Sequence, residues 1–366
     1  MRISPGRLLR RAMVGCLALT ALWVPGGPAR AAPSAAEAES LTFTQRYQAL
    51  RHGGIVRAAN SSITCRTAVL TRAPAPSCAT AREGRAAANG DFDMFYIDVD
   101  KDPNTYNSSR AEVRLPEGAR VSYARLYWGG NLRVGEQKPA KDNGRVLVAE
   151  PGGDYKPVLA DTVVGHRVAR GADAFQASAD VTGLVRASGS GLYTVAQVNV
   201  AMGRSAAGAW GGWTLVVAYD HESEPLRQLA VWDGFDALAP GAEQVVRLRG
   251  LRIAERGRGS AGLVAYNGDA GSRGDSLTVS TGRGGATVLS DAANPRDDVL
   301  NSTISEPGTA SAGRIPAYPN TLGYDSDVLD LSRALRRGGD QLVFRLVAQR
   351  DAAWVGALFV AVDAKQ

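Results

Sequence analysis

Histidine and lysine are nearly absent from this chain. The 366 residues hold three histidines, His52, His166 and His221. They are scattered at no ligand spacing, which leaves a zinc centre without companions. They also give a serine nucleophile few bases to pair with, and no G-x-S-x-G segment occurs. Lysine appears only at positions 101, 138, 141, 156 and 365, so the positive charge is carried almost wholly by arginine. Long helical patterns are missing as well. The one sustained apolar run, residues 12–24, is too short to span a bilayer comfortably.

That run does have an address. It follows Arg2, Arg7, Arg10 and Arg11 with no acidic residue among them, and Pro25, Gly26, Gly27 and Pro28 end it. Ala29-Arg30-Ala31 then places small residues where a signal peptidase reads them, so residues 1–31 read as a signal peptide cleaved after Ala31. The pair Arg10-Arg11 leaves twin-arginine export open. Cys16 opens the apolar run instead of closing it, which argues against a lipoprotein. Loss of the five leader arginines lowers the formal charge from +6 to +1. The remaining chain carries no strong electrostatic case for nucleic acid or anionic membranes.

Export assigns the cysteines. Cys65 and Cys78 are the two left after cleavage, and in an oxidising compartment they have one partner each. A Cys65–Cys78 disulfide is expected, closing a Pro- and Ala-rich loop.

Residues 32–52 read as a polar, alanine-rich flexible lead-in. Beyond them short apolar runs alternate with Gly, Asp, Asn and Pro, the mark of an all-β protein. Strands are expected over 92–99, 120–128, 145–149, 193–200, 213–219 and 226–232. More are expected over 245–248, 262–266, 277–280, 342–347 and 354–362. The stretches at 214–219 and 355–362 are apolar on both alternating faces and should be central strands covered on both sides. Only short helices are expected, over 180–185 and 327–335, each opening on an Asp suited to an N-cap. Asp180-Val181 leading on to Trp213 is echoed by Asp327-Val328 leading on to Trp354. The echo predicts two tandem β-sandwiches, jelly-roll-like or immunoglobulin-like, over 53–239 and 240–366.

Several blocks carry a resemblance: GGIVRAANSSITC, DVDKDPNTYNSS, LPEGARVSYARLYWGG, ADVTGLVRASGSGLYTVAQVNV, GGWTLVVAYDHESEPLRQLAVWDG and NTLGYDSDVLDLS. In this order and spacing the chain resembles an uncharacterised family of secreted bacterial β-rich proteins of actinobacterial type. The family's domain also stands at the N-terminus of large surface, adhesin-like proteins with immunoglobulin-like repeats. The resemblance implies export, a β-rich fold and a surface or adhesion role with no established activity. This chain ends after the domain, with no repeats, sorting signal or membrane anchor, so simple secretion is expected.

Candidate sites are few. Asp98, Asp100, Asp102 and Asn104 alternate as in the first half of a calcium loop. Pro103 and Ser109 stand where an EF-hand needs its Gly and Glu, so calcium would need another geometry. The competing reading is a solvated turn of self-bonded Asx side chains. Tyr324-Asp325-Ser326-Asp327 is a weaker echo. Trp128 and Trp210 are candidate ligand-stacking residues for a carbohydrate, with Trp210 the better surface candidate and Trp213 better suited to the core. The G-x-G-x-x-G match at 257–262 precedes a strand, not a helix, and lacks a phosphate site's context. Arg273-Gly274-Asp275-Ser276 is a chance string in an arginine- and glycine-rich chain. The reading that results is a non-enzymatic secreted or cell-surface protein binding an extracellular polysaccharide or surface protein. A carbohydrate-binding module with calcium as a cofactor is the alternative, and an extracellular hydrolase a weaker one.

Overall fold

The computed structural model describes residues 35–38, 41–68, 76–307, 309–310, 313–350 and 352–365. The export segment 1–31, with Cys16 and the site after Ala31, lies outside the described residues. So do residues 32–34 and 39–40 of the expected lead-in.

Alternating apolar runs become two eight-stranded sandwiches. The first uses β1 (Leu41–Ser61, through its second half), β2 (Ser108–Val113), β3 (Arg120–Asn131) and β4 (Arg145–Ala149). It continues with β5 (Lys156–Leu159), β6 (Ala172–Asp180), β7 (Gly191–Ala196) and β8 (Gly211–Asp220). The second uses β9 (Leu226–Leu238), β10 (Ala242–Ile253), β11 (Gly259–Tyr266) and β12 (Ser276–Ser280). Its remaining strands are β13 (Thr287–Leu289), β14 (Tyr324–Asp330), β15 (Gly339–Ala348) and β16 (Ala353–Asp363).

In the first sandwich one sheet runs β6-β3-β8-β1 and the other β2-β7-β4-β5. In the second the orders are β14-β11-β16-β9 and β10-β15-β12-β13. Adding eight to each strand of the first reproduces the second. Strand one thus neighbours eight and strand two neighbours seven, the jelly-roll arrangement of two four-stranded sheets. In strand order the second set of eight begins at β9. β9 belongs to the second sandwich because it pairs with β16, Leu229 opposite Ala361.

The two inner sets are parts of one ten-stranded sheet, continuous through β1 and extended beyond β6 by Thr162–Ala169 and Glu37–Ala38, and three main cores lie between the layers. Along β8, Leu215 and Val217 enter the core of the first sandwich, whereas Val216 faces the second sandwich. Along β16, Leu358 and Val360 enter the second core and Ala357 and Phe359 face the first sandwich. Both runs expected to be covered on two faces are so covered, which explains why alternation was lost in them.

β1 joins the two sandwiches. Its residues 53–61 pair with β8 and its residues 41–52 with β9. Residues 41–52, expected to be flexible, are therefore strand. Their polar sequence suits an edge position with one face in solvent.

The duplication holds in strand order, with a different register from the one in sequence. The second helix expected over 327–335 begins too early: 324–330 is strand, and the helical turn is Ala334–Arg337. Asp327 caps nothing. It is fully buried, and its Oδ1 accepts the Ser305 N–H at 2.9 Å, the Ser305 hydroxyl at 2.7 Å and the Thr303 hydroxyl at 3.0 Å. The first helix, α1 (Thr182–Ser188), follows Asp180 as expected. Trp213 and Trp354 are not equivalent either, since Trp213 enters the first core and Trp354 the layer between the sandwiches. The Cys65–Cys78 disulfide is formed.

Candidate functional site

Loops from both sandwiches meet in a cleft of about 750 Å³ at one end of β11 and β16. The first sandwich contributes the 88–91 turn, Arg170 and the 204–207 loop; the second contributes Asn267, Asp269, Arg350 and Trp354. Such junctions are frequent ligand sites.

The cleft is held from below by Asn89. This buried amide donates from Nδ2 to Asn267 Oδ1 at 2.9 Å and to Asp269 Oδ1 at 3.2 Å. Its backbone N–H reaches the same Asp269 oxygen at 2.9 Å. Asn267, at φ 65°, turns its own Nδ2 onto the Ala352 carbonyl at 2.7 Å. Asparagine tolerates this left-handed conformation better than most residues. The packing leaves no room behind Asn89: a Cβ on Gly208, which sits at φ 66°, would lie 1.4 Å from Asn89 Oδ1. A chain of amides thus locks loops of the two sandwiches into one surface.

Arg170 owes its place to a hairpin. Thr162–Ala169 pairs with β6, and only Arg170 and Gly171 separate Ala169 from Ala172. Both turn residues have positive φ, 50° and 89°, the signature of a type I′ turn. Arg204 and Arg350 extend from the neighbouring loops. All three guanidiniums are exposed, and among the described residues none forms an ion pair. Two further groups at the cleft have no hydrogen-bond partner among the described residues: the Ser205 hydroxyl and the indole N–H of Trp354. A buried donor left unmade costs about 1–3 kcal/mol. The site therefore offers cations at its rim and unused donors within.

The residues singled out from sequence sit elsewhere. Trp128 and Trp210 are fully buried, so neither can stack on a ligand. Trp128 donates its indole N–H to the Asn143 carbonyl at 2.8 Å, and Trp210 packs on Trp354 with ring centroids 4.9 Å apart. Trp210 looked exposed because Ala and Gly flank it; those small neighbours instead allow close packing of strands around the ring. Trp213 is core, as expected, with its N–H on Ser109 Oγ at 2.8 Å.

The Asp98 loop is knitted by its own donors. Asp98 Oδ1 accepts the Ser108 hydroxyl at 2.8 Å. Asp100 Oδ1 accepts Asp102 N–H at 2.9 Å and the Thr105 hydroxyl at 3.0 Å, and its Oδ2 takes the Tyr155 hydroxyl. Asp102 Oδ1 accepts both the N–H and the Nδ2 of Asn104, at 2.9 and 2.8 Å. Partial burial pushes Asp100 upward, but the Tyr155 and Asp102 hydrogen bonds outweigh it and hold the carboxyl below its usual range. Among the described residues no group of three or more His, Cys, Asp or Glu side chains could hold a metal. The loop takes the form of Asx turns. Asp275 of the Arg-Gly-Asp string is fully buried, with Oδ1 accepting the Gln349 N–H at 2.9 Å.

Sequence gave little warning of the cleft. Its arginines lie at 170, 204 and 350, far apart in the chain, and only the register of two sandwiches brings them together. The one local signal was Arg170-Gly171 between two β-rich runs.

Residues 88–249 match the family described as "Protein of unknown function (DUF3344)". No curated protein matches the chain. Among solved structures the chain is similar to one from the Sulfolobus turreted icosahedral virus, at 10% identity and TM-score 0.24, over 85% of this chain and 91% of that one. It is also similar to the major capsid protein P2 of bacteriophage PM2, at 12% identity and TM-score 0.19, over 85% and 98%. A quercetin 2,3-dioxygenase from Acinetobacter baumannii shows 9% identity and TM-score 0.19, over 90% and 88%. Likeness at this level adds nothing to the fold described above.

Proposed function

We propose that this chain is an exported, non-enzymatic binding protein of the cell surface or its surroundings, and that the cleft between its sandwiches holds an acidic saccharide. The observation carrying this reading is the set of three exposed guanidiniums over two donors, Ser205 Oγ and Trp354 Nε1, all without an ionic or hydrogen-bonding partner among the described residues. Guanidinium forks match carboxylates in a bidentate fashion. Hydroxyls of a sugar would use the remaining donors, Ser205 Oγ and Trp354 Nε1. The disulfide supports an oxidising compartment.

An array of neutral and uronic-acid oligosaccharides tests this, with wild type beside an R170A/R204A/R350A variant. Binding confined to the acidic sugars, lost at least tenfold in the variant and without release of new reducing ends, is the expected result. Retention of wild-type binding by the variant, or a blank acidic panel, overturns it. EDTA should leave the binding unchanged, since the proposed contacts are made by guanidiniums and need no metal.

A further inference from the structure

The strand-order repeat makes equivalent clefts comparable, and one pair differs in a telling way. At the end of β11 and β16 opposite to the first cleft, Arg256, Arg258, Arg333 and Arg336 surround an opening of about 680 Å³ with Gly257 and Ser332. β11 and β16 run antiparallel from Gly259 opposite Val362 to Tyr266 opposite Trp354. At about 3.4 Å per residue the two clefts stand more than 20 Å apart. They are separate sites.

The counterpart in the first sandwich is lined by Arg51, Arg120, Arg186 and Asp220, among others. Asp220 closes β8 as Asp363 closes β16. The two acids are used differently. Asp220 lines its cleft, and its Oδ1 has no partner among the described residues. Asp363 is spent on the fold: its Oδ1 accepts Arg227 Nε at 3.2 Å and its Oδ2 the Arg258 N–H at 2.8 Å. The second cleft is thus left with four guanidiniums and no carboxylate in its lining.

Its backbone is fixed before any ligand arrives. Arg256, at φ 54°, donates its N–H to the Arg336 carbonyl at 3.2 Å and so ties the two loops together. The Ser332 hydroxyl bonds Asp330 Oδ1 at 2.7 Å. All four arginines are exposed, and among the described residues none is ion-paired. Like charges gathered without a partner repel, and an anion that joins them relieves that repulsion.

We propose that this four-arginine cleft is a binding site for phosphate groups carried on a polymer. Guanidiniums recognise phosphate through paired N–H donors, and several converging on one opening suit closely spaced phosphates better than a lone carboxylate. Free phosphate shares the chemistry but lacks the repeated charge, so it binds more weakly.

Isothermal titration of the full chain at about 0.15 M salt, with inorganic polyphosphate and with inorganic phosphate as separate probes, decides the matter. Polyphosphate should saturate one site, tighter than phosphate by at least tenfold, and should raise the melting temperature. R256Q/R258Q/R333Q should lose at least tenfold in affinity with an unchanged melt in the absence of probe. R120Q/R186Q, in the equivalent cleft, should bind as wild type. No saturable binding, equal losses in both variants, or wild-type affinity in the triple variant overturns the proposal. Binding of duplex DNA without binding of polyphosphate also overturns it, in favour of a nucleic-acid site.

Discussion

Asp180 and Asp330 hold the same place in the two sandwiches. Each is the last residue of its inner strand, β6 or β14. Each turns Oδ1 back onto the N–H two residues on, Thr182 at 2.8 Å and Ser332 at 3.3 Å. One turn later Val185 and Leu335 are both buried, and Gly189 and Gly338 end the helical turns at φ 67° and 55°. The repeat is therefore a repeat of junctions as well as of strands. It frees Asp325 and Asp327 from any capping role and leaves them as buried acids on one face of β14.

Those two acids should make the protein less stable as pH rises. Burial, resisted by Ser305 and Arg57, pushes Asp327 up to about 7, and burial with repulsion from Asp327 raises Asp325 well above its usual value. The unfolded chain releases these protons near pH 4, whereas the folded chain keeps them longer. The stabilising difference is thus complete below about pH 4 and is lost as pH climbs toward 7. Calorimetry should show the melting temperature falling between about pH 5 and pH 8, with a flatter profile in D327N. A wild-type profile that rises over this range contradicts the assignment.

Reduction of Cys65–Cys78 should cost about 3 kcal/mol, the loop-closure value for a separation of 13 residues. Thermal melts of C65S/C78S against wild type, and of wild type with and without reductant, check this. The two comparisons should agree.

Gly208→Ala should destabilise by more than about 2 kcal/mol, since the new methyl collides with Asn89 and φ 66° is strained for alanine. Gly152→Ala is the control: its φ of 72° carries the strain, but nothing lies within 4 Å. Urea titration should separate the two. Equal losses would mean that Asn89 yields, and that the cleft floor is softer than drawn.

Arg46→Met should cost about 2 kcal/mol. Its Nε meets the fully buried Asp233 at 2.6 Å, and loss of one partner strands a buried charge. The cost is moderated because Arg125 and Tyr127 remain within 3.4 and 3.2 Å of Asp233. A double-mutant cycle with D233N measures the coupling, which should exceed about 1 kcal/mol.

Most of the fold was legible because strands covered on one or two faces write period-two or unbroken apolar runs. The runs around Val216 and Leu358 mark their strands as central from sequence alone. Asp327 misled because an acid before Val-Leu-Asp-Leu-Ser also fits a helix start. Only the loop at 303–305, which wraps its carboxylate, explains a strand there. Trp210 misled for a related reason, since small neighbours signal either exposure or tight packing. The two arginine clefts were illegible. Each gathers residues from separate loops, and charge counted along the chain averages them away.

β1 gives half its length to each sandwich, and this orders events in time. Its first half emerges early yet must wait for residues 226–238, nearly two hundred positions later, before its ladder can close. A chain threaded outward from its N-terminus would hold that segment open until most of the protein had followed. Residues 53–61, by contrast, can close on β8 as soon as residue 220 has followed, so the strand that links the sandwiches is finished in two separate steps.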